Sequence, residues 1–175
     1  QHELQLLPAV KTLKASKIEL QTLDSGIPVS NMGIQLTAKP SDRGALPKLI
    51  IRQAQGELLG GNFIADDFVY DLNRSKNHLL IELNDIDLAE VVETQQLKDI
   101  TATGRLDGTL PVEIDKDGIY IAHGGLSNHI NGGTIRYTPE TGTAQLKQNP
   151  LTGITLDALR DFRYSDLKAD VSYLP

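Results

Sequence analysis

The sequence predicts a mainly β protein built as a meandering, mostly antiparallel sheet. Three observations point there: short runs of apolar–polar alternation recur along the chain, turn-forming residues punctuate them, and the two helical stretches are short and lie between strands. Long helices crossing over between parallel strands are missing from the pattern, so βαβ winding fits poorly.

Each run earns its place by alternation. KIELQTL (17–23) sets Ile18, Leu20 and Thr22 against Lys17, Glu19 and Gln21, and MGIQLTA (32–38) aligns Ile34 with Leu36. HLLIELN (78–84) aligns Leu79, Ile81 and Leu83; TLPVEI (109–114) aligns Leu110, Val112 and Ile114. GIYIA (118–122) aligns Ile119 with Ile121, and GTIRYT (133–138) aligns Ile135 with Tyr137. A period of two marks strands with one drier and one wetter face.

The punctuation suits hairpins. DKDG (115–118) separates two alternating runs and reads as a tight turn, and PETG (139–142) and DSG (24–26) are further turn candidates. Pro111 has no N–H to give a ladder, which predicts an edge position or a bulge. DLAEVVETQQL (87–97) predicts a helix with Asp87 as N-cap, and TLDALRDF (155–162) a second with Thr155 as N-cap. GALPK (44–48) sets an N-terminal hairpin region, 1–46, apart from a main β region, 47–175, within one segment spanning 1–175.

Composition narrows the function. Net charge is −6 over 175 residues, with no basic cluster interleaved with aromatics, which argues against nucleic acid. The absence of cysteine excludes disulfides, thiolate metal sites and a Cys nucleophile. The apolar payload is aliphatic, with three Phe, five Tyr and no Trp. No apolar run reaches the roughly 18 residues of a membrane-spanning helix.

HGGLSNHINGGTIRY (123–137) is the stretch most suggestive of chemistry, with two histidines and four glycines. A phosphate loop needs glycines leading into a helix N-terminus, whereas these lead into the strand TIRYT. The glycines therefore predict bulges or tight reversals. His123 and His129 lack further ligands at convincing spacing, Ser127 is outside a GxSxG elbow, and DKD (115–117) lacks the acidic density of a calcium loop. Asp66, Asp67, Asp85 and Asp87 fall at turn or helix-start positions, where aspartates act as caps. No catalytic residue, metal site or cofactor is predicted.

From about Ile86 to Tyr173, the blocks IDLAEVVE, GRLDGTLPVEI, GIYIAHGGL, NGGTIRYTPE and LDALRDFRYSDLKADVSY follow one another in order. This half of the chain resembles the C-terminal part of YdbH-family, AsmA-like proteins, whose domain has also been described as dicarboxylate transport. The resemblance implies a segment of a larger, inner-membrane-anchored periplasmic protein of Gram-negative bacteria. It implies an elongated, curled β-structure whose hydrophobic groove carries phospholipid toward the outer membrane. It also implies a partner, a small outer-membrane lipoprotein (YnbE-like) joining by strand addition.

On that implication the groove-lining candidates are Leu79, Ile81, Leu83, Leu110, Val112, Ile114, Ile119, Ile121 and Ile135, with the helices 87–97 and 155–162 capping an end of the sheet. Branched aliphatics with few polar hooks suit an acyl chain. At about 0.8 kcal/mol per methylene, a chain of about fifteen methylenes gains on the order of 12 kcal/mol over water. Relative to a bilayer the gain is near zero, so such a groove is a path rather than a pump. The same residues also suit an ordinary closed core, and two rival functions remain: a dicarboxylate-binding module and a structural β-scaffold that recruits a partner by strand addition.

Overall fold

A computed structural model describes residues 16–24, 27–41, 45–129, 131–138 and 159–174. The expected mainly antiparallel fold is present. An eight-stranded sheet runs in the order β1 (Ser16–Asp24), β2 (Pro28–Lys39), β3 (Lys48–Leu58), β4 (Gly61–Asp71), β5 (Lys76–Asp87), β7 (Arg105–Asp115), β8 (Ile119–Asn128) and β11 (Lys168–Tyr173). A three-stranded sheet contains β10 (Phe162–Tyr164), β9 (Gly133–Tyr137) and β6 (Ile100–Thr103). The large sheet is open, with β1 and β11 at opposite ends of its order.

The chain wanders because its turns are local. Leu59 and Gly60 join β3 to β4 with φ of 48° and 68°, two left-handed residues that match the twist of a hairpin. DKDG forms the expected β7–β8 turn: the Asp115 carboxylate accepts from the amides of Asp117 and Gly118. Pro111 lies where β7 and β8 slip register between Thr109 and Val112, the bulge its missing N–H requires. Strand β2 pairs with β1 on one side and with β3 along most of its length on the other. The DSG turn at 25–26 and PETG from 139 onward lie outside the described residues.

One α-helix is present among the described residues. Helix α1 spans Leu88–Thr94, shorter than the 87–97 expected, with Asp87 capping it through Ala89 N–H. It stops because Gln96 turns left-handed (φ 53°); Gln96 N–H then donates to Glu93 and Leu97 N–H to Val92, a Schellman closure. The helix expected over 155–162 is corrected where described: Leu159–Asp161 make a single 3-10 turn, and Phe162 already begins β10. Pairing of β10 with β9 outweighs the helical spacing there.

The small sheet continues the large one around a corner. Strand β6 passes into β7 at Gly104, β9 follows β8 after the turn at Gly132, and β10 passes into β11 through 165–167. Tyr164 holds this corner. It is buried, its hydroxyl donates to the Thr103 carbonyl at 2.8 Å, and a Cβ on Gly104 or Gly133 would strike it. Asn128 ties the same corner, donating to the Ser165 carbonyl and accepting from Leu167 N–H.

Leu83, Ile86 and Leu106 form the buried cluster, with Leu58, Phe63, Leu88, Val91 and Leu126 packed around it. Among the described residues, Ile86 is the one large side chain wholly removed from solvent. A buried cluster therefore sits at the α1 end; farther along the same face Ile51, Ala65 and Val112 are also buried, whereas Ile18 and Ile119 stay exposed.

Candidate functional site: an aliphatic sheet face

Residues directly opposite one another on antiparallel strands share a face, so the register shows the composition of each side. One side is apolar row after row. Ile18, Ile34, Ala54 and Ala65 form one row, and Leu36, Ile51 and Phe68 the next. Gly56, Phe63, Leu83, Gly108, Leu126 and Ala169 carry a row from β3 to β11. Leu79, Val112, Ile121 and Tyr173 align across β5, β7, β8 and β11, with Ile81 opposite Leu110 and Ile114 opposite Ile119.

The reverse side is mostly polar, with Ile50 opposite Val69 and Leu80 opposite Pro111 as its apolar pairs. Glu19, Gly33, Gln55, Ile64, Glu82, Thr109, Gly125 and Asp170 make one row, and Lys17, Gln35, Gln53 and Asp66 another. His78 faces Glu113, which faces Tyr120, and Lys76 Nζ lies 2.5 Å from the Glu113 carboxylate, whose hydrogen bond and charge raise the lysine's pKa.

Eight of the nine predicted groove candidates come together on the apolar side: Leu79, Ile81, Leu83, Leu110, Val112, Ile114, Ile119 and Ile121. Their exposure is uneven. Leu83 and Val112 are buried by neighbours, Ile119 is 50% exposed, and the others lie between. Ile135 is elsewhere. It sits on β9 in the three-stranded sheet, opposite Ala102 and Phe162. Helix α1 rests against the Leu83–Ile86–Leu106 cluster through Leu88 and Val91, closing that end of the face.

Residues on β1 to β4 extend the same face, yet they were not among the candidates. Bulges hide them. Arg52 is the extra residue where β2 and β3 slip register between Gln35 and Leu36, and Asp67 opposite it is left-handed at φ 42°. Across that step the alternation changes phase, so Ile51 and Phe68 fall on the side of Ala54 and Ala65 despite odd spacing. Asn31 (φ 50°), Asp85 (φ 57°) and His123 (φ 59°) mark the bulges of β2, β5 and β8. Asp, Asn and His tolerate this backbone best among side chains with a Cβ.

The glycine-rich stretch is absorbed by this architecture. His123 is the bulge residue, and Gly124 lies under Leu110, whose Cδ2 would be 2.6 Å from an added Cβ. Gly132 turns at φ 61°, and Gly133 abuts the Thr103 carbonyl. His129 Nε2 lies 2.5 Å from the Asp107 carboxylate, which also accepts from Asp85 N–H, so this histidine braces a bulge. Among the described residues, no three His, Asp or Glu gather to hold a metal ion.

Arg105 joins the elements behind the buried cluster. It donates to the carbonyls of Gly60 and Asp85, each at 2.9 Å, and lies 3.2 Å from the Asp87 carboxylate. The β3–β4 turn, the β5 bulge and the α1 cap are thereby held by one guanidinium, a fork suited to several acceptors at once.

A family model described as "YdbH-like: Intermembrane phospholipid transport protein YdbH" matches residues 1–175. No curated protein and no solved structure matches the chain.

Proposed function

The chain belongs to the YdbH-like family of intermembrane phospholipid transport proteins, and we propose that its aliphatic sheet face is the surface that shields phospholipid acyl chains in transit. The observation that carries this is the set of apolar rows on one side of an eight-stranded sheet, with large aliphatics such as Ile18 and Ile119 left exposed on it. A closed globule would bury those rows; a lipid carrier has reason to leave them open.

Curling of the sheet about these rows would make a groove, with Glu, Lys, Gln and Thr of the reverse side facing water. At about 0.8 kcal/mol per methylene, the aliphatic lining holds a chain against water yet releases it to a bilayer of similar polarity. No catalytic residue is needed. The fitting place of action is the periplasm, with the segment working as part of an inner-membrane-anchored protein. Strand β11 closes the strand order and pairs through β8, which suits its outer edge to strand addition by a small outer-membrane lipoprotein.

The test is native mass spectrometry with lipid extraction on the full chain purified without detergent. Phospholipid should accompany the wild type and Leu80→Glu, whose site lies on the reverse side, and be lost in Ile121→Asp. Absence of lipid from the wild type, or retention in Ile121→Asp, overturns the proposal. Proline at Asp170, on the reverse side of β11, should spare lipid occupancy and break lipoprotein capture; unchanged capture overturns the edge assignment.

A further inference from the structure

Helix α1 has apolar residues on two sides. Val91 packs on the Leu83–Ile86–Leu106 cluster, whereas its neighbour Val92 lines a cleft between α1 and β6 together with Leu97, Ile100 and Ala102. The cleft measures about 330 Å³. That is near the lower limit of small-molecule sites, which run from roughly 300 to 1,000 Å³. Ala102 is buried at its floor and Val92 and Ile100 are half-buried, while the polar residues Glu93, Gln96 and Lys98 are exposed at its mouth.

We propose that this cleft seats one acyl chain, extending beyond α1 the path of the large apolar face; the inference rests on the acyl-chain reading of that face. An apolar interior with polar groups confined to the rim suits hydrocarbon and offers a polar metabolite nothing to bind inside. The cleft is too small for a whole phospholipid and sized for part of one. The two apolar surfaces flank α1, with the neighbours Val91 and Val92 facing one each. The Schellman closure places Leu97 there, with its N–H bonded to the Val92 carbonyl, and leaves its side chain 46% exposed.

The test uses three leucine or isoleucine positions of similar exposure and different location: Leu97 at the cleft, Ile119 on the large apolar face and Leu80 on the reverse side. Each is replaced in turn by photoreactive benzoylphenylalanine in the full chain, and irradiated with vesicles of phosphatidylethanolamine and phosphatidylglycerol. Lipid adducts at positions 97 and 119 but not at 80 are the expected result. Adducts at 119 alone overturn the cleft and leave the face standing; adducts at neither overturn both readings. Adducts at 97 alone overturn the shared path, and equal adducts at all three overturn it in favour of general adsorption. Filling the cleft with Ala102→Leu, or from the helix side with Val92→Phe, should lower the adduct at 97 several-fold and leave that at 119 unchanged. An unchanged adduct at 97 in the variant that retains its circular dichroism overturns the proposal.

Discussion

Leu79 on β5 and Val112 on β7 stand directly opposite one another on the aliphatic face, Leu79 half-buried and Val112 buried. Val112 is flanked by Leu79 and Ile121 and is 5% exposed, whereas Ile119, beyond it on β8, is 50% exposed. Position along the face therefore decides whether an added charge strikes packing or only the surface offered to a ligand.

Val112→Asp is expected to destabilise the protein by about 3 kcal/mol, since it buries an unpaired carboxylate among aliphatics. Ile119→Glu should cost within about 0.5 kcal/mol, because its charge stays wet. Urea unfolding of the two variants checks this. Equal losses would mean that the face is covered at both places.

Asp71 secures the β4–β5 connection, where the strands pair in register from Asn62 to Ile64. Its carboxylate lies 2.9 Å from Lys48 Nζ and accepts from the Asn73 amide and side chain, and these bonds lower its pKa to about 2. A depressed carboxylate pKa gives stability that is complete above the ordinary value of 3.8 and disappears as pH falls through about 2. Wild type should therefore melt above Asp71→Asn at pH 5, and the gap should close between pH 4 and pH 2. Thermal unfolding across that range measures it; a constant gap would assign Asp71 no ionic role.

At the corner between the sheets, Gly104 adopts φ 130°, and its added Cβ would come 2.1 Å from the Tyr164 hydroxyl. Gly104→Ala should cost about 3 kcal/mol through strain and collision. Tyr164→Phe, which loses the bond to the Thr103 carbonyl, should cost about 1 kcal/mol. Combining them should cost less than the sum, because the phenylalanine relieves the contact with the alanine methyl. A strictly additive double mutant in calorimetry would count against the contact.

Sequence reading reached furthest where strands are regular. Leu79, Ile81 and Leu83 alternate without interruption, as do Leu110, Val112 and Ile114, and all six take one side of the sheet. It stopped at bulges, since Arg52 and Asp67 shift the phase that alternation relies on and so conceal Ile51 and Phe68. Ile135 alternates as well as any candidate, but alternation cannot tell which sheet a strand joins; the break at Gly132 and Gly133 sends it to β9. Leu97 was read as the last helical residue. The left-handed turn at Gln96 was not foreseeable, because glycine or asparagine is the usual occupant of that position.

His123 supplies the sharpest check on the glycine-rich stretch. It is exposed, adopts φ 59°, and is the extra residue that lets β8 step past Pro111. If its role is backbone geometry, glycine should serve at least as well, because the left-handed region carries no Cβ penalty there. His123→Gly is expected to leave stability within about 0.5 kcal/mol of wild type or raise it slightly. His123→Val should cost about 2 kcal/mol, since a β-branched residue is disfavoured at this φ. Zinc added at equal concentration to wild type and His123→Gly should shift both melting temperatures equally. A stabilisation by zinc confined to the wild type would instead make His123 a ligand, and the bulge would then be the means of presenting it.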